Sequence, residues 1–231
     1  MSNNRVDNIP PITTHSAGQH TPEEQVGARN STPKAERTKD KLLHAGIDLF
    51  ARQGYDATST RQIQLAAGVQ RNLITYHFGA KDAFWKACMH TLFMRVSNHV
   101  WTAVDLAGDV ASLERIRFVS RRYVRAMAEH PEAPRIMFDE GRATTWRLDW
   151  LVDHHVRPLY TLIRKLYNET NLPVDSLSPV QVYYLLVSGA AIFAMAPEYQ
   201  RLSRLDPFEP KLIDQQADFI AELLTTPLST H

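Results

Sequence analysis

The stretch STRQIQLAAGVQRNLITYHFGAKDAF, residues 59–84, contains two short helical patterns that meet at a glycine. Ser59 and Gln62 have the spacing of a capping box, which predicts that a helix starts at Ser59. Gly68 follows the first pattern, and glycine readily adopts the left-handed conformation that ends a helix. The second apolar pattern runs from about Arg71 to Phe78. Two short helices joined by a tight glycine turn are typical of a helix-turn-helix.

The second predicted helix carries hydrogen-bonding side chains opposite its apolar residues. They are Gln70, Arg71, Asn72, Thr75, Tyr76 and His77. Arginine pairs bidentately with guanine and asparagine with adenine, whereas hydroxyl groups and imidazoles suit phosphate oxygens. The helix has no carboxylate, so the pattern favours nucleic-acid binding over catalysis. The alternative is that Tyr76 and His77 are half-buried packing residues.

The net charge of +1 is divided unevenly along the chain. Residues 34–101 contain 10 Lys/Arg and 5 Asp/Glu, a net of +5, whereas residues 102–231 contain 14 and 17, a net of −3. The positive excess therefore lies on the segment with the helix-turn-helix. This favours a polyanionic partner for that segment, with ordinary charge scatter as the alternative.

The composition predicts an all-α globular protein of one or two modest domains, because 44% of the residues are hydrophobic and no alternating strand pattern occurs. The single cysteine, Cys88, excludes an internal disulfide and favours a reducing, cytoplasmic location. The start of the chain does not resemble a signal peptide. The longest apolar run, residues 185–196, is shorter than the ~20 residues that a membrane helix needs.

The segment from Lys39 to Phe84 resembles the DNA-binding domain of TetR/AcrR-type bacterial transcriptional regulators. The resemblance depends on Ala45, Leu49, Phe50, Gly54, Tyr55, Thr58, Ile63, Ala67–Val69, Tyr76–Phe78 and Lys81–Phe84. It implies a DNA-binding domain at residues 33–80 and a helical effector-binding and dimerisation domain at residues 81–231, with about nine helices in total. It also implies a homodimeric repressor that a small molecule releases from palindromic operator DNA. The polar composition of residues 1–32 predicts a disordered tail.

The resemblance extends the set of DNA-binding residues. Arg61 matches a position that often reads bases, and Thr60, Thr75, Tyr76, His77 and Lys81 match positions that contact phosphates. Three residues depart from the family pattern. Thr75 stands in place of a tyrosine, Gln64 in place of a small alanine at the helix crossing, and Gln70 in place of a serine that caps the recognition helix. The lost cap is expected to cost ~1 kcal/mol.

Caps, prolines and apolar spacing predict the remaining helices. The first begins near Thr32–Pro33 and ends at Gly54. Others lie at about residues 81–104, 113–128, 133–141, 146–170, 178–196 and 210–224. Pro158 is expected to kink or divide the helix that contains it, and Pro197 to follow the end of another.

The ligand pocket and the dimer interface are weaker predictions. The pocket candidates are Tyr123, Met127, Phe138, Trp146, Trp150, His154 and Tyr184. The interface candidates are Tyr183, Val187, Gly189, Ala190 and Phe193. For both sets the alternative is packing in the core of one chain.

No spacing typical of a zinc site and no cofactor motif occurs in the sequence, and adjacent His154 and His155 diverge by roughly 100° on a helix. Two other functions remain open. One is a helical enzyme that uses Glu140, Asp153 and His154 as acid-base groups. The other is an interaction adaptor that does not bind DNA.

Overall fold

The computed structural model describes residues 33–108, 110–170 and 178–226. Within these ranges every regular element is helical and no strand occurs, which confirms the all-α prediction. The predicted tail of residues 1–32 lies outside the described residues. None of the described helices is both long enough and apolar enough to cross a membrane.

The described residues form twelve α-helices and one π-helical segment, more than the nine helices expected. The N-terminal helices are α1 (Pro33–Ala57), α2 (Thr60–Ala66) and α3 (Leu73–Phe78). They are followed by α4 (Lys81–Ala107), α5 (Ser112–Glu129), α6 (Glu132–Glu140), α7 (Trp146–Leu151), α8 (Arg157–Asn168), α9 (Pro179–Ser188), α10 (Ala191–Ala194), α11 (Ala196–Ser203) and α12 (Pro210–Thr225). The π-helical segment, Val152–Val156, joins α7 to α8.

The helix-turn-helix is formed by α2 and α3, and its predicted ends are confirmed. Ser59 and Gln62 make both hydrogen bonds of the capping box. Gly68 has φ 63°, the left-handed conformation that the turn requires. Gly54, with φ 75°, interrupts the last turns of α1, close to the predicted helix end.

The predicted division near Pro158 is confirmed as a π-helical segment that ends just before this residue. The ring nitrogen of Pro158 carries no hydrogen, so it cannot donate to the carbonyl of His154 one turn earlier. A wider π turn accommodates the missing bond, and it changes the direction in which the neighbouring side chains point.

The prediction of one helix over residues 178–196 is wrong. Ser178 and Gln181 do form a capping box at its start, but α9 ends at Ser188. The break occurs at Gly189, where the added Cβ of any other residue would lie 2.7 Å from Cγ1 of Ile220 in α12. Pro197 does not end a helix. It lies in the first turn of α11, where its missing N–H has no helical partner to lose.

One continuous apolar core extends from the helix-turn-helix into the C-terminal helices. Ile63 of α2 and Ile74 of α3 are fully buried in it, as are Phe84 and Cys88 of α4. Burial raises the pKa of the Cys88 thiol, so this group stays protonated and inert. The core therefore holds the N-terminal helices directly against α4, the longest helix described.

Candidate nucleic-acid interface and ligand cavity

The polar face predicted for α3 and the turn before it is exposed in the structure. Arg71, Asn72 and Thr75 are exposed, and Tyr76 is 74% exposed. Gln70 and Arg61 are exposed as well. The packing alternative therefore does not apply to Tyr76. It applies in part to His77, which is half-buried with its ring 4.8 Å from that of Tyr76.

Three residues predicted to contact phosphates line one open groove. Thr60 at the start of α2, Thr75 in α3 and Lys81 at the start of α4 meet there. Hydroxyl and ammonium donors from three separate helices are thus brought to one concave surface, which suits a phosphate backbone.

Lys81 also has a structural role that sequence reasoning missed. Its Nζ donates a hydrogen bond to the carbonyl oxygen of Tyr55 at 2.7 Å and lies 4.0 Å from the centroid of the Tyr55 ring. Tyr55 in turn donates its hydroxyl to Asp82. Burial, followed by this hydrogen bond, raises the pKa of Tyr55 to about 12, so the hydroxyl remains a donor. These contacts attach the start of α4 to the end of α1.

The recognition helix α3 is capped from the neighbouring helix. Its N-cap residue, Asn72, is left-handed at φ 68° and makes no side-chain capping bond. Instead, Oε1 of the buried Gln64 in α2 accepts a hydrogen bond from the backbone N–H of Ile74 at 3.3 Å. A buried amide from α2 thus satisfies a backbone donor at the start of α3 that the N-cap side chain of Asn72 leaves unserved.

Replacing Gln64 with methionine is expected to weaken this capped start, because the volume is nearly kept while the acceptor is lost. We expect faster hydrogen exchange at the Ile74 amide and a loss of DNA affinity of about 1 kcal/mol, the typical value of a cap. Native-state hydrogen exchange and fluorescence anisotropy would measure the two effects. The control is Gln53→Met on the exposed surface of α1. Unchanged exchange at Ile74 would contradict the capping role.

The helix-turn-helix region meets the C-terminal helices at a charged and aromatic junction. Arg147 of α7 donates to both carboxylate oxygens of Glu140 at 2.7 and 2.9 Å, and these side chains are 13% and 5% exposed. The Arg147 guanidinium also lies 3.6 Å from Asp56 and 4.6 Å from the Tyr55 ring. Burial lowers the pKa of Arg147, but the Glu140 hydrogen bond and charge outweigh it and raise this pKa overall.

Trp146, Trp150 and His154 do not line the main cavity, contrary to the prediction. The Trp146 ring packs edge-on against Tyr55 and Trp85 at 5.8 and 5.4 Å. Trp150 lies 5.8 Å from Trp85, and His154 stacks on Trp150 at 4.5 Å. These three residues are therefore part of the junction, because the Trp146 and Trp150 side chains pack against α4 and the end of α1.

A cavity of about 560 Å³ lies among α4, α5, α6, the π-helical segment, α8 and α9. Four of the predicted pocket residues line it: Tyr123, Met127, Phe138 and Tyr184. His155 lines the cavity in place of His154. The π-helical segment turns His155 inward, a feature that helical periodicity did not indicate. The His155 ring lies 5.3 Å from Trp150, so the cavity wall is in contact with the junction.

The predicted dimer residues are largely used within the single chain. Tyr183, Ala190 and Phe193 are buried, Gly189 packs on Ile220, and Val187 is half-buried. Tyr183, Val187 and Ala190 also line the cavity. For these residues the core-packing alternative describes the structure. The exposed apolar residues of α9 and α12 are instead Val180, Tyr184, Phe219 and Leu223.

The three residues of the enzyme alternative do not form one site. Glu140 is bound to Arg147, Asp153 accepts from Arg157 at 2.8 Å, and His154 Nδ1 lies 2.8 Å from the carbonyl oxygen of Trp150. Each group is held by a different partner. This arrangement lacks the mutual contacts that acid-base catalysis requires.

One cluster with metal-ligand chemistry was not predicted. The ligand atoms of His99, Glu129 and His130 lie within 4.8 Å of one another. Arg122 contacts His99 Nδ1 at 2.6 Å, and His99 Nε2 lies 3.3 Å from Glu129. Both nitrogens of His99 are thus already engaged. Burial, then the nearby His99 and Arg95, lower the pKa of His130. Arg122 and Arg95 place two positive charges beside these three residues, which disfavours a bound cation. The group is therefore better explained as a hydrogen-bonded ion cluster.

Residues 42–88 match the family described as "Bacterial regulatory proteins, tetR family". The matched residues contain the whole helix-turn-helix and the start of α4. Over these residues the chain is similar to TetR-family regulators. The match supports the resemblance that the sequence pattern indicated.

Other proteins are similar to this chain over part of its sequence or over most of its fold. The HTH-type transcriptional repressor NicS of Pseudomonas putida is 29% identical over 118 residues, 47% of this chain. The match spans about half of the NicS chain, 50% of its length. A TetR-like regulator from Rhodococcus sp. RHA1 superposes with a TM-score of 0.66 at 18% identity, covering 84% of this chain and 96% of that one. AibR, solved with isovaleryl coenzyme A and operator DNA, gives 0.65 at 15% identity, covering 83% of this chain and 100% of its own.

Proposed function

We propose that this protein is a TetR/AcrR-type transcriptional regulator that binds operator DNA as a homodimer and is released by a small molecule. The observation that carries the proposal is that α3 and the turn before it have one buried apolar side and one exposed polar side. Ile74 is fully buried, whereas Arg71, Asn72, Thr75 and Tyr76 project from the same short segment into solvent. A polar, cationic and carboxylate-free face on a second helix of this kind suits the major groove.

The proposal is tested by selecting duplexes from random DNA and measuring their affinity by fluorescence anisotropy. We expect a palindromic site, with half-sites about one helical turn apart, and a steep fall of affinity with salt. The adaptor alternative predicts no binding. Failure to bind duplexes of any sequence at low salt would reject the proposed function.

Dimerisation is proposed through the exposed faces of α9 and α12. One helix-turn-helix contacts only a few base pairs. In a dimer with two-fold symmetry, the helix-turn-helix of the second chain contacts the second half-site of a palindrome. The apolar side chains of Val180, Tyr184, Phe219 and Leu223 remain 39–65% exposed in the single chain. Such residues on two adjacent helices are suited to bury one another across a four-helix interface.

Phe219→Arg is expected to convert the dimer into a monomer, because it would place a charge in an apolar interface. Analytical ultracentrifugation should show the mass of one 26.3 kDa chain for the variant, and twice that mass for the unmodified protein. Operator affinity should fall with the dimer. The control is Leu202→Arg in α11, which is 81% exposed and lies outside the proposed interface. A variant at Phe219 that remains dimeric would contradict the assignment.

Ligand release is proposed to act through the aromatic contacts between the cavity and the helix-turn-helix. His155 touches Trp150, Trp150 touches Trp85, and the Trp85 ring lies 6.2 Å from that of Tyr55. A ligand that displaces the cavity wall can thereby favour a second conformation, in which α1 and the helix-turn-helix occupy a different position. The ligand lowers operator affinity by no more than the difference between its own affinities for the DNA-binding conformation and for this second conformation. Anisotropy of the operator complex during ligand titration tests this coupling, and an unchanged signal at saturation would reject it.

A further inference from the structure

The cavity is strongly apolar and has no charge in its interior. Arg142 is the one lining residue, among those that the structure describes, with a side chain charged at neutral pH. Its side chain is 77% exposed and is paired with Asp139, so it lies at the rim. Most of the wall consists of aliphatic and aromatic groups, including Phe93, Val96 and Met137. An ionised group buried here would lose its hydration without gaining a counter-charge.

The polar groups of the wall are few and neutral. Ser188 already donates its hydroxyl to the carbonyl oxygen of Leu185 at 2.7 Å. Burial raises the pKa of the Tyr123 phenol, and it raises that of Tyr183 to about 12, so both remain uncharged. Burial, then the nearby His90 and His154, lower the pKa of His155 to about 4, so its imidazole is neutral as well.

His155 is the wall residue with an unmet hydrogen bond. Its side chain is more than nine-tenths buried, and its Nε2 atom has no hydrogen-bond partner. The ring is held by aromatic neighbours, stacked on Phe93 at 5.3 Å and edge-on to Trp150 at 5.3 Å. A buried polar atom without a partner is costly, and a hydrogen-bonding group on a ligand would remove that cost. Neutral Nε2 either donates or accepts according to the tautomer, and a hydroxyl group serves both cases.

We propose that the cavity binds an uncharged, mainly apolar small molecule, and that a hydroxyl group of this molecule pairs with the imidazole of His155. The inference rests on the proposed function, because it names the ligand class of the regulator's effector site. It does not require the DNA site to be known.

Three aromatic probes that differ in one substituent test the proposal directly on the purified protein without DNA. The probes are 2-naphthol, naphthalene and 2-naphthoate, and binding is measured by fluorescence titration at pH 7.5. We expect 2-naphthol to bind roughly tenfold more tightly than naphthalene, as one satisfied buried hydrogen bond predicts. We expect 2-naphthoate to bind about a hundredfold more weakly than 2-naphthol, because its charge is buried without a partner.

Variants at the two adjacent histidines make the test specific. His155→Leu should lower the affinity for 2-naphthol roughly tenfold and leave that for naphthalene unchanged. His154→Leu, on the neighbouring residue outside the cavity, should change neither affinity. His155→Gln keeps a donor and an acceptor and should recover most of the loss. It also provides the comparison if the leucine variant does not fold.

The outcomes that overturn the inference are distinct from failure of the proposed function. Tighter binding of 2-naphthoate, equal losses of both neutral probes in His155→Leu, or no binding of 2-naphthol up to its solubility would each reject the ligand class. A protein that binds 2-naphthol as expected but binds no DNA would instead reject the regulator and keep the cavity assignment.

Discussion

Arg71→Ala is expected to weaken operator binding by about 1–3 kcal/mol and to relax the base preference at one position of each half-site. Arg71 is exposed beside the start of α3, where base edges come within reach, and it forms no ion pair with the described residues. The variant should therefore fold normally. If the Arg71 guanidinium pairs bidentately with guanine, its removal should lower the affinity of the protein mainly for the selected operator. Anisotropy with the selected operator and with single-base variants measures both effects.

The matched control for Arg71 is Arg52→Ala. Arg52 is also exposed, but it lies on α1, outside α2 and α3, and pairs with Asp48 at 2.8 Å. Its loss should leave operator affinity nearly unchanged. If Arg71→Ala instead reduced binding equally for every DNA sequence, Arg71 would be a phosphate contact and not a base reader.

Arg147→Ala is expected to lower the free energy of unfolding by about 3–5 kcal/mol. The substitution would leave the Glu140 carboxylate, 5% exposed, without the guanidinium that now donates to both of its oxygens. Removing one partner of a buried ion pair leaves the other charge buried without a counter-charge. The free-energy cost of that charge is larger than the net stabilisation that the intact pair provides. The change would also remove the guanidinium from Asp56 and from the Tyr55 ring. Urea denaturation followed by circular dichroism would measure the loss.

Arg157→Ala controls for a general effect of removing an arginine from this part of the chain. Arg157 pairs with Asp153 at 2.8 Å, but both side chains are at least 60% exposed. Solvent screens such a pair, so a loss below about 0.5 kcal/mol is expected. A similarly small loss for Arg147→Ala would contradict the view that the Glu140 carboxylate depends on the Arg147 guanidinium for its counter-charge.

Much of the helix-turn-helix could be predicted from the sequence because its signals are local. The capping box of Ser59 and Gln62 and the left-handed turn at Gly68 involve residues within a few positions of each other. The exposure of Tyr76 likewise follows from its place on the side of α3 opposite Ile74. Hydrogen bonds and side-chain faces on this scale depend little on the rest of the chain.

The cavity and the junction were predicted only in part because they depend on helices distant in sequence. The sequence named Trp146, Trp150 and His154 as pocket residues, but it did not indicate which neighbour they would meet. The two tryptophans contact Trp85 of α4, so these residues form part of the junction. Likewise, the small residues after α9 suggested a partner subunit, whereas Gly189 packs on Ile220 of the same chain.

The sequence by itself determined that the part of the chain described by the structure is helical and contains a helix-turn-helix, since caps, glycines and apolar spacing act over a few residues. Only the tertiary structure decided that His155 and not His154 faces the cavity, because the π turn before Pro158 redirects the side chains. It also decided that Gln64 caps α3, because that bond joins two helices across the turn. Contacts of this kind are fixed by how helices cross, and helix crossing depends on packing throughout the core.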